Sequence, residues 1–343
     1  MEKFRVLLLG AGFWGSRWIR ILQNCDRTEL VGVGCGKKSA AKIIDQFGIP
    51  EKIVFNDYAT AINQIDADIM VNVLPAAFHY EADCLAMKKG MHIITEKPLV
   101  SDLQQAKDLV ELHKQYPSCL FAASQNYRWR PHNVAILNAI KGGMIGTLEA
   151  ISLNFRQQED LQGYRESLAR PLVDDMSIHH FDLLRYFSGS NCDSIFAKTW
   201  RPSWSLYPGE PNLDAVLQMK NGVQISYTGT WAARGKETSW DGDILLSGSE
   251  GCLSLDVDNR VRFFPHAKVE SVVLDTQRQE GILLDNPEMQ YTETEYVLNT
   301  FLDAVQDRTG FETSLEDNFN SFAMVCACRE SAETGKTVPV TTL

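Results

Sequence analysis

The chain has 343 residues and carries 44 acidic against 33 basic side chains, which gives a formal net charge of -11 at pH 7. This length favours two domains over a single core, and the acidic excess argues against a nucleic-acid partner, which needs concentrated positive charge. No apolar run approaches the roughly 18 residues of a membrane-spanning helix, and the eight cysteines include no C-x-x-C pair. We therefore expect a cytoplasmic protein with reduced thiols and with neither a nucleic-acid nor a membrane partner.

Short apolar runs alternate with helical stretches from residue 4 to about residue 124. The predicted strands are Arg5–Leu9, Leu30–Gly34, Ile69–Val73, His92–Thr95 and Leu120–Ala123, and the predicted helices are Gly15–Gln23, Ala40–Phe47, Tyr80–Lys89 and Asp102–Tyr116. Strands that alternate with helices build a parallel sheet with crossover helices on its faces. The sequence therefore predicts a doubly wound α/β Rossmann domain over residues 1–124.

The pattern changes in the second half of the chain. Ile151, Leu153 and Phe155 alternate with polar residues, as in a half-buried strand. Turns are predicted farther along at Lys220–Val223 and Gly248–Gly251. Two closing helices are predicted at Glu295–Gln306 and Leu315–Thr334. The first of these turns contains Asn-Gly, which supplies the positive φ angles of a tight hairpin. These features predict an α+β domain over residues 125–343, built on a large, mostly antiparallel open sheet.

The open sheet also bears on quaternary structure. Its outer face would expose apolar strands, such as the one through Val223, Ile225 and Tyr227, unless another subunit covered it. The sequence therefore predicts a homodimer or a homotetramer.

A glycine-rich turn follows the first predicted strand. Gly10, Gly12 and Gly15 form a G-x-G-x-x-G motif between that strand and a predicted helix. The first glycine permits the tight bend, the second lets the backbone approach a pyrophosphate, and the third allows the helix to pack closely on the strand. The helix N-terminus also attracts an anion. We predict dinucleotide contacts from Gly10, Gly12, Phe13, Trp14 and Gly15, in preference to a glycine-rich turn without a ligand.

The end of the second strand bears on the choice between NAD and NADP. Rossmann domains selective for NAD place an acid here to hold the ribose hydroxyls, whereas this chain has Cys35, Gly36, Lys37 and Lys38. No carboxylate would repel a 2′-phosphate, and two ammonium groups would attract one. The sequence therefore leans towards NADP, with cofactor contacts from Cys35, Gly36 and Lys37. The alternative, that the lysines are only the solvated start of a helix, stays open.

Four further motifs follow this turn in order. They are Leu74–Pro75 with His79, Glu96–Lys97–Pro98, Asn126–Tyr127–Arg128, and Asp175 to His179 with Asp182. Over nearly its whole length the chain thereby resembles the glucose-fructose oxidoreductase, inositol dehydrogenase and MocA family. The resemblance implies that Lys97 lies near the nicotinamide and the substrate hydroxyl, often with a cis peptide bond before Pro98. It also implies cofactor contacts from Leu74, Pro75, His79, Glu96, Lys97 and Asn126.

The position of Lys97 supports a catalytic role independently of the resemblance. Open α/β sheets bind ligands beyond the carboxyl ends of their strands, and Lys97 follows the fourth predicted strand. An ammonium group there steadies a developing alkoxide. The alternative is a surface lysine in a turn.

A histidine with two aspartates is the candidate acid-base group. Asp175, His179 and Asp182 are spaced so that they share one face of a predicted helix, while His180 points about 100° away. Histidine titrates near neutrality and is suited to take a hydroxyl proton, and Asp175 would orient it or share that proton. The resemblance assigns Asp175 and His179 to these roles. Two alternatives are a helix in which these side chains only bond one another, and a metal site, which we do not predict.

The substrate pocket departs from the family pattern. The glycines that commonly precede the aspartate are replaced by the segment 170–174, Arg-Pro-Leu-Val-Asp. The candidate substrate contacts are Tyr127, Arg128, Arg156 and Arg165. Aromatic rings stack on sugar faces, and arginines bind carboxylates or phosphates through paired hydrogen bonds.

Together these features predict an NAD(P)-dependent oxidoreductase that transfers hydride between nicotinamide and a secondary alcohol or carbonyl of a sugar, cyclitol or related polyol. In this hypothesis His179 takes the hydroxyl proton, Lys97 stabilises the oxygen and Asp175 supports the histidine. Two alternatives stay open. One is a glycoside-processing enzyme that oxidises a sugar transiently and regenerates its own cofactor, and the other is a non-catalytic regulator that binds nucleotide on the same fold.

Overall fold

The computed structural model describes residues 3–159, 166–266 and 280–343. The chain forms two compact units, of which the first consists of Met1–Gln125 and Thr294–Phe322 and the second of Asn126–Glu293 and Ala323–Leu343. The contiguous division expected from the sequence differs from these units, because Thr294–Phe322 returns to the first one.

The first unit contains a parallel sheet. Its described strands are β1 (Phe4–Leu9), β2 (Thr28–Gly34), β3 (Val54–Phe55), β4 (Ile69–Asn72), β5 (His92–Thr95) and β6 (Phe121–Ala123). They lie in the order β3-β2-β1-β4-β5-β6, which is the order of dinucleotide-binding Rossmann domains. The predicted doubly wound sheet is therefore confirmed. The prediction omitted β3, because a strand of two residues gives no period-two signal.

Helices connect these strands. In the described part of the first unit they are α1 (Phe13–Asn24), α2 (Lys37–Phe47), α3 (Tyr58–Gln64), α4 (His79–Lys88) and α5 (Leu103–His113). Apolar periodicity made four of them predictable. The fifth, α3, has only seven residues, which is too short for a clear periodic signal.

A C-terminal segment completes the first unit. It contains most of α8 (Glu293–Asp307) and the beginning of α9 (Leu315–Thr334). Between these helices Thr313 lies beside the edge strand β6. The Ala123 amide donates to the Thr313 carbonyl at 2.9 Å, and the Thr313 hydroxyl donates to the Ala123 carbonyl at 2.7 Å. These bonds join residues far apart in the sequence, so local patterns do not reveal them.

The second unit is built on a larger sheet. Its described strands are β7 (Leu148–Arg156), β8 (Cys192–Trp200), β9 (Asn212–Met219), β10 (Gln224–Thr230), β11 (Asp243–Gly248), β12 (Gly251–Leu255), β13 (Val261–Pro265), β14 (Ile282–Leu284) and β15 (Val338–Pro339). They lie in the order β14-β13-β12-β11-β7-β10-β9-β8-β15. Strands β7 and β10 pair in parallel, and the other described pairs are antiparallel. The predicted mostly antiparallel sheet is confirmed, and α6 (Pro131–Lys141) and α7 (Ser177–Ser188) belong to the same unit.

The Asn-Gly turn joins β9 to β10 as predicted. Gly222 has a φ of 94°, a conformation that glycine adopts without steric cost. Its amide donates to the Met219 carbonyl at 2.9 Å. The second predicted turn, Gly248–Gly251, joins β11 to β12.

The predicted exposure of β10 is wrong. Val223, Ile225 and Tyr227 are at most 2% exposed, whereas Gln224 and Ser226 are exposed. Because successive side chains of a strand point to opposite faces, the apolar set packs inward and the polar set faces outward. The apolar-strand argument for oligomerisation therefore fails.

The longest described helix is α9, which has 20 residues and includes several charged side chains. Within the ranges that the structure describes, no helix combines the length and the apolar character that a membrane crossing requires.

A carboxyl group is buried beside the end of β4. Asp83 of α4 is 0% exposed, and its Oδ1 accepts a hydrogen bond of 2.8 Å from the Asn72 amide. Burial raises the pKa of Asp83 to about 8, although the hydrogen bonds from Asn72 and Thr95 act in the opposite direction. Asp83 is therefore mostly protonated at neutral pH in the folded chain.

This raised pKa makes stability depend on pH. Unfolded Asp83 ionises near its ordinary pKa of 3.8, so between that pH and about 8 the folded chain holds a proton that the unfolded chain has lost. The free energy of unfolding therefore falls as the pH rises across this window, by about 1.4 kcal/mol per pH unit. We predict that Asp83→Asn, which keeps an acceptor for Asn72, raises Tm far more at neutral or slightly alkaline pH than at mildly acidic pH in thermal unfolding.

Asp57→Asn is the matched control. Hydrogen bonds from Thr60 lower the pKa of the exposed Asp57, so its contribution is complete above its ordinary pKa and is lost only at more acidic pH. Asp57→Asn should leave the difference in Tm between the two conditions close to that of the wild type. An equal gain in Tm for Asp83→Asn under both conditions would contradict the raised pKa.

Candidate functional site

Three glycines shape the turn between β1 and α1. Gly10 has a φ of +90°, and a Cβ atom there would lie 2.4 Å from the Val73 carbonyl oxygen. A Cβ atom on Gly15 would lie 2.3 Å from the Gly10 carbonyl oxygen. Gly12 differs, because it is exposed and a Cβ atom there would meet no heavy atom within 4 Å. The chain itself requires the first and third glycines, whereas the second leaves an open surface.

This turn fits a dinucleotide. Open space over Gly12, at the N-terminus of α1, is what the close approach of a pyrophosphate requires. Phe13 is 73% exposed, and its ring centroid lies 5.7 Å from that of the half-buried Trp14. The guanidinium of Arg17 lies 4.8 Å from the centroid of the Trp14 ring. The cofactor contacts of Gly12, Phe13 and Trp14 stay predictions, and the turn presents all three at its surface.

The end of β2 presents backbone and lysine side chains. The Cys35 amide donates to the Phe55 carbonyl of β3 at 2.8 Å, and burial raises the pKa of the Cys35 thiol. Gly36 precedes α2, which begins with the exposed Lys37 and Lys38 and has no acidic residue in its first turn. Gly36 and Lys37 therefore lie on the surface, whereas the thiol of Cys35 is buried.

One buried histidine joins the loops after β4 and β5. His79 is 1% exposed. Its Nε2 lies 2.7 Å from the Leu74 carbonyl oxygen, and its Nδ1 lies 2.9 Å from the Pro98 carbonyl oxygen. Burial lowers the pKa of His79, although these carbonyls favour its charged form. The buried ring joins the Leu74–Pro75 loop to the turn that contains Lys97, and the cofactor contact of His79 stays a prediction.

Glu96 fixes the backbone beside Lys97. The Trp18 indole of α1 donates to Glu96 Oε1 at 2.9 Å, and the Lys97 amide donates to Glu96 Oε2 at 3.3 Å. Burial raises the pKa of Glu96, while Trp18 and Lys97 act in the opposite direction. The Lys97–Pro98 peptide bond is cis, as the resemblance implied.

The strand register brings these loops to one edge of the sheet. Leu9 of β1 pairs with Asn72 of β4, which pairs with Thr95 of β5. The Val73 amide donates to the Leu9 carbonyl at 2.7 Å, and the Glu96 amide donates to the Asn72 carbonyl at 2.9 Å. The glycine turn, the Leu74–Pro75 loop and the Lys97 turn therefore all follow the carboxyl ends of adjacent strands.

The second unit begins with a short 3-10 helix, Asn126–Trp129, whose residues are all buried. Within it Arg128 donates to Asp182 of α7, with Nε at 2.7 Å and Nη2 at 2.6 Å. These side chains are only 4% and 2% exposed. The guanidinium is thus engaged in a buried bidentate ion pair, and the contact of Arg128 with substrate stays a prediction. Asn126 is buried as well, and its cofactor contact stays a prediction.

A π-helical turn, Leu172–Met176, precedes α7. Asp175 lies in this turn, so the prediction that one regular α-helix carries both Asp175 and His179 is wrong. Asp174, the neighbouring acid, forms an ion pair of 2.6 Å with Arg329 of α9. The wider turn overlaps the segment that lacks the family's glycines at residues 172–174, and π-helical turns are frequent at functional sites.

The two adjacent histidines of α7 have different surroundings. His180 is 0% exposed, with Nδ1 2.8 Å from the Tyr227 hydroxyl and Nε2 3.0 Å from the Trp240 carbonyl oxygen. Burial lowers the pKa of His180 to about 4, so the ring is neutral at pH 7. His179 instead stacks on Tyr127, with centroids 4.1 Å apart and an interplanar angle of 14°. The structure thus separates a structural histidine from the candidate base.

The other predicted substrate contacts are only partly accessible. Arg156 ends β7, and its Nη2 donates to Asp243 at 2.6 Å while the side chain remains 34% exposed. Tyr127 is 8% exposed. The contacts of Arg156 and Tyr127 with substrate stay predictions, and Arg165 lies outside the described residues. Across residues 3–159, 166–266 and 280–343, no group of three or more His, Cys, Asp or Glu side chains is arranged to hold a metal ion.

Sequence reasoning missed several residues that hold the site in place. Arg130 and Asp241 form an ion pair of 2.6 Å although 111 residues separate them, so no local pattern links them. Trp18, which bonds Glu96, did carry a usable signal. A tryptophan on the inner face of a helix needs an acceptor for its indole N–H, and a carboxylate next to a predicted catalytic lysine is a natural candidate.

A glycine turn open to a pyrophosphate and a lysine at the carboxyl edge of the same parallel sheet define a dinucleotide-dependent oxidoreductase. Residues 4–124 match the oxidoreductase family with an NAD-binding Rossmann fold, and residues 134–254 match the GFO/IDH/MocA C-terminal domain. The chain belongs to this family, the one named for glucose-fructose oxidoreductase, inositol dehydrogenase and MocA. The predicted family and its NAD-binding oxidoreductase class are therefore confirmed.

Individual relatives are distant. The D-apiose dehydrogenase of Paraburkholderia graminis is 24% identical over 348 residues, which cover 100% of this chain and 91% of that protein. The inositol 2-dehydrogenase/D-chiro-inositol 3-dehydrogenase of Lactiplantibacillus plantarum is 26% identical and covers 64% of this chain and 63% of that protein. Levoglucosan dehydrogenase in complex with NADH superposes with a TM-score of 0.85 at 18% identity, over 100% of both chains. At that identity the likeness demonstrates a common fold.

The glycines give a prediction that separates cofactor binding from folding. Gly12→Ala places a methyl group in open space, so it should leave Tm unchanged and weaken NAD(H) binding about tenfold or more. Gly15→Ala pushes a methyl group against the Gly10 carbonyl, so it should lower stability by about 1–3 kcal/mol. Thermal unfolding and titration of NADH fluorescence measure the two effects. Unchanged NADH affinity in Gly12→Ala would contradict a pyrophosphate at this turn.

Proposed function

We propose that the protein transfers hydride between nicotinamide and a secondary alcohol or carbonyl of a sugar, cyclitol or related polyol. The observation that carries this proposal is the common sheet edge of Gly12 and Lys97, fixed by the register of β1, β4 and β5. This edge is where open α/β sheets bind ligands. A cation following β5 at that edge suits a reaction in which negative charge develops on an oxygen.

The chain's own residues supply the proton chemistry. Bound nicotinamide would supply the hydride acceptor or donor. His179 accepts the proton of the substrate hydroxyl, Lys97 stabilises the oxygen that loses it, and Asp175 supports the histidine. In the reverse direction His179 returns the proton to the carbonyl oxygen. The difference between the two adjacent histidines supports the choice of base, because His180 is engaged with Tyr227 and Trp240.

The substrate class rests on relatives whose names specify a pentose, inositols and levoglucosan. These compounds share adjacent hydroxyl groups. We propose the same class here, acted on in the cytoplasm. For the dinucleotide we propose a preference for NADP over NAD, because Lys37 and Lys38 are exposed at the start of α2 and no acid stands in its first turn.

The decisive assay follows reduced-nicotinamide absorbance with NAD⁺ or NADP⁺ and a panel of sugars, cyclitols and uronic acids. Lys97→Met and His179→Gln should each lower kcat about 10²- to 10⁴-fold, and His179→Gln should bind NADPH as the wild type does. Lys114→Met, a change of the exposed lysine that follows α5, is the matched control and should retain activity. Higher kcat/KM with NADP⁺ is expected. Turnover of His179→Gln within threefold of the wild type would contradict the assigned base.

We also propose that the outer face of the second sheet binds a second copy of the chain. A row of paired residues crosses this face, and it consists of Phe196, Val216, Ser226, Ser152 and Leu245. Phe196 is 43% exposed, Val216 55% and Leu245 44%. Two small serines lie between these apolar side chains, so the same face of a second copy fits against it in a two-fold arrangement. The proposed oligomer therefore rests on this exposed row and not on the apolar side chains of β10, which are buried.

Light scattering after size exclusion tests the oligomer. The wild type should elute as a dimer or tetramer at micromolar concentration, and Val216→Asp should shift it to a smaller species by burying a charge in the contact. Leu206→Asp, a change at a loop residue that is 74% exposed, should leave the mass unchanged. A monomeric wild type would contradict the proposal.

A further inference from the structure

The ring of Tyr127 lies between a histidine and an arginine. The His179 ring is stacked on it with centroids 4.1 Å apart, and the Arg130 guanidinium carbon lies 3.4 Å from the Tyr127 centroid. Two groups this close to one ring centre cannot occupy the same face without overlapping. His179 and Arg130 therefore cover opposite faces of Tyr127.

The arginine in this stack is anchored. Arg130 Nε donates to Glu293 at 2.7 Å, and Nη1 donates to Asp241 at 2.6 Å. Asp241 is 0% exposed and also accepts a hydrogen bond of 2.6 Å from Asn133. Burial alone would raise the pKa of Asp241, but the hydrogen bond from His132 and the charge of Arg130 lower it to about 2. The guanidinium is thus held by two carboxylates, and it fixes the tyrosine ring beneath it.

The helix backbone alone does not fix the plane of the His179 ring. Helix α7 fixes the Cα–Cβ direction of His179, but the torsion between Cβ and the imidazole is broad and has no sharp staggered minima. The nitrogen lone pair that accepts a proton lies in the ring plane. Rotation about this torsion therefore turns the accepting nitrogen away from a hydroxyl even when the backbone does not move.

We propose that Tyr127 is the positioning residue of the candidate base: its ring sets the plane of the His179 imidazole, and the anchored Arg130 holds that ring from the other side. This inference rests on the proposed function of His179. Both faces of the Tyr127 ring are covered, so in this role no sugar ring stacks on it. Stacking needs the aromatic ring and not the hydroxyl, so phenylalanine should substitute for tyrosine at this position and an aliphatic residue should not.

Kinetics of three variants test the positioning. Tyr127→Leu should lower kcat about 10- to 100-fold, the range expected for a misaligned catalytic group, with the Kd of NADPH unchanged. Tyr127→Phe should stay within threefold of the wild type. Phe187→Leu, which removes another buried ring from α7, is the control for loss of packing and should lower Tm without lowering kcat comparably. Equal losses of kcat in Tyr127→Phe and Tyr127→Leu would overturn the proposal.

A measurement without substrate separates this proposal from the proposed function. The chain has seven histidines, so the Cε1 signal of a labelled His179 is assignable by its absence in His179→Gln. Stacking on Tyr127 should shift this signal through the ring current in the wild type and in Tyr127→Phe, and the shift should vanish in Tyr127→Leu. An unchanged His179 signal in Tyr127→Leu would overturn the stack itself. If His179→Gln has full activity while the wild type shows the ring-current shift, the catalytic role is overturned and the stack stays intact.

Discussion

The parallel register of β1, β4 and β5 is the constraint on which the candidate cofactor edge depends. Backbone hydrogen bonds pair Leu9 with Asn72 and Asn72 with Thr95, so the three following loops begin at the same level. A slip of one residue would move every side chain of a strand to the opposite face of the sheet. Because these strands are buried on both faces, the burial of their apolar residues locks the register, and with it the positions of Gly12, Leu74 and Lys97.

Buried and half-buried polar groups then hold the loops that the register has aligned. His79 joins the carbonyls of Leu74 and Pro98, and Glu96 is bonded by the indole of Trp18 and the amide of Lys97. Each such contact is costly to break, because the partner left behind is a buried polar atom without a hydrogen bond. The loops of the candidate cofactor edge are thereby supported by side chains that bond to their backbone.

The second unit uses ion pairs for the same purpose. Arg128 binds Asp182, and Arg130 binds both Asp241 and Glu293. Buried pairs of this kind specify one arrangement of the segments they join, because removing either partner leaves the other charge buried and unpaired. Helix α7 is thus held to the chain that follows Asn126, and the ring of His179 is packed against Tyr127. The fold persists among relatives of 18% identity, as expected when burial patterns carry it.

The sequence by itself determined the Rossmann sheet, the glycine turn, the Lys97 motif and the hairpin at Gly222, because each depends on neighbours within a few residues or on a regular alternation. It also separated His179 from His180, since helical geometry alone turns them apart. Tertiary structure decided the rest. Periodicity reports that β10 has an apolar face but not which side is covered, and the burial of Tyr227 settled that. The pairing of Arg128 with Asp182, the π-helical turn at Asp175 and the return of Thr294–Phe322 to the first unit depend on contacts between distant segments, which no local pattern encodes.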